Sequence, residues 1–83
     1  MKIKTYSNPD NSINYGYSRQ SRKWEFHLKP VNSVFLTPVP GVGEEKEKLA
    51  LQIANILKGA IIRSAGVDGL ARANINRLVY SSQ

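Results

Sequence analysis

The sequence predicts an α+β fold: a small antiparallel sheet of three to five strands, mostly within residues 2–37, packed on one amphipathic helix at about 44–58, with a C-terminal short helix or closing strand. Three observations carry that prediction. Apolar and polar residues alternate with period two before residue 30, the mark of half-buried strands. Helical spacing replaces this alternation after residue 44. Between them, Thr37-Pro38-Val39-Pro40-Gly41-Val42-Gly43 is a breaker segment in which no regular element can run.

Residues 2–6 form a short first strand, followed by Asn8-Pro9-Asp10-Asn11-Ser12, which gathers turn-favouring residue types around a proline. In the second strand Ile13, Tyr15 and Tyr17 alternate with Asn14, Gly16 and Ser18. Arg19-Gln20-Ser21-Arg22 is a polar connection to the third strand, residues 23–29. There Trp24, Phe26 and Leu28 fall on one face and Lys23, Glu25, His27 and Lys29 on the other, the cleanest alternation in the chain. Val34-Phe35-Leu36-Thr37 is a fourth, short strand.

Leu49, Ile53, Ile56, Leu57 and Ala60 then mark one face of a helix. Glu44, Glu45 and Glu47 suit the positive end of its dipole and Lys58 the negative end, each worth about 0.3–1 kcal/mol. Gly59 supplies a helix stop. The β-branched pair Ile61 and Ile62 predicts a strand over residues 60–64, ending at Ala65-Gly66-Val67-Asp68-Gly69. With Asp68 as N-cap, Ala71, Ile75, Leu78 and Val79 share a helical face, whereas Leu78-Val79-Tyr80 also reads as a closing strand. Trp24, Phe26 and Leu28 are expected to form the core against Leu49, Ile53 and Leu57. Tyr15 and Tyr17 suit either core or surface.

The 83 residues bound the chain to a single small basic domain, residues 1–83, burying roughly two-thirds of its unfolded surface. It contains no cysteine, which removes disulfides, thiolate nucleophiles and zinc–cysteine sites and points to a reducing, cytoplasmic setting. No apolar run approaches the roughly 18 residues of a membrane span, and the basic first residues precede no signal-peptide apolar region. No membrane partner is expected.

Chemistry is thinly represented. His27 is the single histidine and shares a strand face with Glu25 and Lys29, an arrangement common on solvated surfaces. The six carboxylates are accounted for by helix-start, cap and turn roles, and no spacing suits a metal or a nucleophile elbow. The reading is therefore non-enzymatic, with no catalytic residue, metal or cofactor.

Pro40-Gly41-Val42-Gly43 before a helix resembles the hairpin of the helix-hairpin-helix DNA-binding family, which grips phosphates through backbone amides. The resemblance stops at those residues and the helix after them. Pro38 and Pro40 lie on a strand-like run where that family needs a helix, and Glu47 stands where it has an alanine. Glu44, Glu45 and Glu47 also put negative charge where an anion would dock.

The main functional signal is charge. The formal net charge is +6, and residues 1–30 carry Lys2, Lys4, Arg19, Arg22, Lys23 and Lys29 against Asp10 and Glu25. Tyr6, Tyr15, Tyr17, Trp24 and Phe26, five of the seven aromatics, are interleaved with them. Single-strand binders combine cations that track phosphates with aromatic faces that stack bases, so Lys2, Lys4, Tyr15, Tyr17, Arg19, Arg22, Lys23 and Lys29 are candidate contacts. Arg63, Arg72 and Arg77 form a second basic group in the final third. The expected function is contact with nucleic-acid phosphates, DNA or RNA. The alternative is an inhibitor, linker or adaptor laying the same basic face on an acidic protein.

Overall fold

The computed structural model describes residues 5–29, 32–63 and 67–81. Four strands, β1 (Thr5–Ser7), β2 (Ile13–Ser18), β3 (Lys23–Leu28) and β4 (Ser33–Thr37), precede two helices, α1 (Glu44–Arg63) and α2 (Gly69–Ser81). The strands form one antiparallel sheet in chain order, β1-β2-β3-β4. α1 lies across β2 and β3, and α2 packs on α1, so the helices cover one face of the sheet.

The register explains the core. Tyr6 pairs with Tyr15, Tyr15 with Phe26, and Phe26 with Phe35, so one row across the helix-side face is wholly aromatic. Tyr6 and Tyr15 stack at 5.5 Å between centroids, Tyr15 and Phe26 at 5.6 Å. Such pairs contribute about 0.5–1.5 kcal/mol each beyond the area they bury. Flanking rows add Trp24, Ile13 and Leu28, and the helices bring Leu49, Ile53, Leu57, Ile75 and Val79. Trp24, Phe26 and Leu28 thus meet the Leu49–Ile53–Leu57 face as the alternation predicts. Ala50 and Ala54, both fully buried, keep α1 close to its neighbours.

The β1 side is tied to α1 by polar contacts. The Tyr6 hydroxyl donates to Glu47 Oε1 at 2.6 Å, and Asn8 Nδ2 donates to Asn55 Oδ1 at 3.3 Å. Lys58 Nζ lies 2.7 Å from Asp10 Oδ2.

Two expectations are corrected on α1. Gly59 does not stop the helix, and residues 60–63 are its last turn, not the start of a strand. Ala60 and Ile61 continue the stripe of Ile53 and Leu57, so burying that face outweighs the helix penalties of glycine, about 1 kcal/mol, and of the β-branched pair. Residues 64–66 lie outside the described residues. The last segment is helix, not a closing strand, despite Asn74 and Asn76. Ala71 N–H donates to Asp68 Oδ1 at 2.7 Å, the N-cap the sequence predicts. The first strand is described from Thr5, and the expectation for residues 2–4 lies outside the described residues.

A candidate anion-binding surface at the β2–β3 turn

β2 and β3 are joined by residues 19–22. Arg22 N–H donates to Ser18 O at 2.8 Å and Ser21 N–H to Ser18 Oγ at 3.3 Å, which closes a tight hairpin. Closing it puts Arg22 at φ 58°, the left-handed region. Among the described residues, three non-glycine residues take that conformation; the others are Asn11 and Asn32, near the turns at the opposite end of the sheet. Asparagine tolerates it through local hydrogen bonding, but a long side chain gains no such relief. Arg19, Arg22 and Lys23 are all exposed at this turn. Neither Arg22 nor Lys23 has a described carboxylate within ion-pair distance.

Tyr17 and Tyr15, two residues apart on the same face of β2, part company. Tyr15 is 6% exposed and belongs to the core, where burial, reinforced by Tyr6 and Glu47, raises its pKa. Tyr17 is 39% exposed at the turn end of the strand and meets Trp24 edge-on at 6.4 Å. Trp24 and Phe26 are buried, so the aromatic row faces the helices and offers no stacking platform.

The other candidate cations are dispersed. Lys2 and Lys4 lie outside the described residues. Lys29 follows β3 at the far end of the sheet, about 20 Å along the strand from Lys23, where its N–H bonds Ser12 O. Arg63 Nε stands 3.5 Å from Asp68 Oδ2. Arg72 and Arg77, five residues apart on α2, point about 140° from each other around the helix. The structure therefore gathers Arg19, Arg22 and Lys23 at one turn, with Tyr17 beside Trp24 on the helix-side face and Lys23, opposite Ser18, on the open face; it does not bring the second basic group together.

On the open face of the sheet, Gly16 forms the floor of a depression of about 110 Å³ rimmed by Thr5, Asn14, Ser18, Glu25 and His27. Its volume suits a few waters. His27 Nε2 lies 3.0 Å from Glu25 Oε1, and the Ser18 hydroxyl also donates to that carboxyl, so Ser18 and then His27 hold the Glu25 pKa below its ordinary value. The carboxylate sits between hydroxyl and imidazole, whereas activating a nucleophile requires the imidazole in the middle. The sequence singled out Glu25 and His27 but missed Ser18. The register supplies it, because Ser18 ends β2 opposite Lys23, on the side where Gly16 faces Glu25.

At the start of α1, Gly41 (φ 95°) and Gly43 (φ 58°) make the strand-to-helix turn. The element before it is β4, not a helix, and Glu44, Glu45 and Glu47 occupy the first turn. Among the described residues no three histidine or acidic side chains converge as metal ligands, and no helix is long and apolar enough to cross a membrane. No protein-family model, curated protein or solved structure matches the chain.

Proposed function

We propose that the chain is a binding module without catalytic chemistry, which contacts nucleic-acid phosphates through the β2–β3 turn. Arg19, Arg22 and Lys23 neutralise the backbone, and Tyr17 offers one ring edge or face to a neighbouring base. The observation that carries this reading is Arg22. An arginine occupies a left-handed position that the other two turns fill with asparagine, next to Lys23 and exposed to solvent. Strained backbone positions cluster at sites of contact, which supports assigning Arg22 to what its head meets. Backbone contact of this kind carries little base readout. The cysteine-free composition is compatible with a reducing compartment, where nucleic acid is abundant.

The test is a titration of a fluorescent single-stranded oligonucleotide across salt concentrations. Replacing Arg19, Arg22 and Lys23 together by Ala is expected to lower the slope of log K against log salt by roughly 2–3, about 0.7–0.9 for each phosphate no longer neutralised. Lys29→Ala, at the far end of the sheet, should cost less affinity than any of the three. Unchanged binding by the triple variant would overturn the proposal.

One observation favours a second reading. With Tyr15, Trp24 and Phe26 inside, Tyr17, on the helix-side face, is the exposed ring at this end of β2, so stacking contributes about one base's worth of affinity, about 1–3 kcal/mol. Arginine forks recognise carboxylates as well as phosphates. Under this reading the same turn docks on an acidic protein, and the triple variant loses binding to an acidic polypeptide while the oligonucleotide never binds.

A further inference from the structure

We infer that β4 is a self-association edge: two copies of this chain pair through it, antiparallel about a twofold axis at Phe35, to form a weak dimer. The inference does not rest on the phosphate-binding reading.

An outer strand exposes a row of backbone N–H and C=O groups, and natural sheets guard such edges with lysine, proline, bulges or brevity. β1, the other edge, is described over the three residues Thr5–Ser7. β4 has five residues, Ser-Val-Phe-Leu-Thr, without charge or proline, and no described residue pairs with its outer side. On the open face Val34 is 53% and Leu36 47% exposed. On the helix side Phe35, half-buried, ends the row that begins at Tyr6.

The occupant follows from the strand's own complementarity. With Phe35 on the axis, Val34 lies opposite Leu36 of the second copy, and Ser33 opposite its Thr37. Apolar groups then meet apolar groups, the cross-strand pairing that stabilises sheets, while the buried Thr37 hydroxyl donates to Pro38 O within its own chain. The two aromatic rows join across the axis. Charge points the same way: two molecules of net charge +6 repel, so they meet best where positive charge is absent. β4 itself is uncharged, and on the open face of β3 beside it Glu25 and His27 lie opposite Leu36 and Val34, with Lys23 at the strand's start beyond Thr37.

Size sets the strength. Five residues extend about 17 Å, and such a contact falls short of the roughly 1,200 Å² that stable complexes bury, so the dimer forms only at high concentration.

Sedimentation equilibrium of the full chain, from about 10 μM to about 1 mM, tests this by mass action. The average mass is expected to rise from the 9.3 kDa of one chain towards twice that value, and amide exchange across β4 should slow in step. Leu36→Lys, at an exposed position, should raise the apparent dissociation constant at least about tenfold by placing like charges across the axis. Val34→Lys repeats the test if the first variant loses its circular-dichroism spectrum. Ile62→Lys, on α1 and more exposed, should leave association unchanged. A single-chain mass at the highest concentration would overturn the inference and leave the edge to a different partner's strand. Association that survives both β4 variants, or that Ile62→Lys abolishes equally, would overturn it in favour of another surface.

Discussion

The two ends of the sheet are built from the same parts and differ in which residue type takes the left-handed conformation and in how nearby cations are held. At the end where β1 meets β2 and β3 leads to β4, Asn11 and Asn32 take the left-handed conformation. There Lys58 is bonded to Asp10, and the nearby helix junction pairs Arg63 with Asp68. At the other end an arginine takes that conformation, and Arg22 and Lys23 face solvent without a described carboxylate. Folding alone gives no reason for the difference, since asparagine serves the backbone better in both places. The first end ties Lys58 to a carboxylate, although exposed Lys29 at the same end has no described carboxylate within ion-pair distance. The second shows cations left available.

The largest expected effect tests whether the two ends are one cooperative unit. Phe26 lies at the centre of the aromatic row, fully buried, and connects the strand residues that lead to each turn. Phe26→Ala should cost about 3–5 kcal/mol, much of the stability of so small a domain. Far- and near-ultraviolet circular dichroism should melt together at a lower temperature. Separate transitions would mean that the ends fold independently, and the comparison between them would lose its common reference.

A smaller effect addresses the contrast directly. Arg22→Asn gives the β2–β3 turn the residue type of the other two. Relief of the left-handed strain should stabilise the fold by up to about 1 kcal/mol, read from the denaturation midpoint. The same change should weaken oligonucleotide binding and lower its salt slope by about 0.7–0.9, the share of one phosphate. Gain in one property with decline in the other is the signature of a residue retained for contact. If stability falls instead, Arg22 supports the turn, and its exposure is incidental.

What the sequence reveals follows from the range of the forces involved. Alternation over residues 13–18 and 23–28 and the stripe through Leu49, Ile53 and Leu57 depend on residues near one another in the chain, so strands, helix and core are readable directly. The fate of residues 60–63 is not, because Gly59 and the Ile61–Ile62 pair argue locally for a break, and only the packing of Ala60 and Ile61 decides for helix. Tyr15 and Tyr17 share a face and differ because one lies under α1 and the other beyond it, a distinction set by where the helix is placed. Cations near in sequence are separated for a similar reason. The rise of about 3.3 Å per residue along a strand sends Lys23 and Lys29 to opposite ends of β3, and the pairing of Arg63 with Asp68 depends on how the two helices pack.

The smallest expected effect concerns acid. Asp10 is held down to about 2, below its ordinary 3.8, first by the hydrogen bond from Lys58 and then by the Ser12 hydroxyl and N–H. A carboxyl with a depressed folded-state pKa adds stability that is present above its unfolded value and disappears as pH falls through the folded one. The end of the sheet that ties Lys58 to Asp10 should therefore loosen between about pH 4 and pH 2, while the β2–β3 turn should respond only through Glu25, whose carboxyl accepts from the Ser18 hydroxyl. Asp10→Asn removes the titrating group and should flatten the dependence of Tm on pH over that interval, leaving whatever Glu25 contributes through its own depressed pKa. Lys58→Met should move the Asp10 titration, followed by the carbon-13 shift of its carboxyl, upward from about 2 towards the ordinary range. Because the pair is exposed, salt should shrink both effects. An Asp10 midpoint near 3.8 in the unaltered protein would show that Lys58 is as free as Arg22, and the asymmetry between the ends would then rest on Arg22's backbone alone.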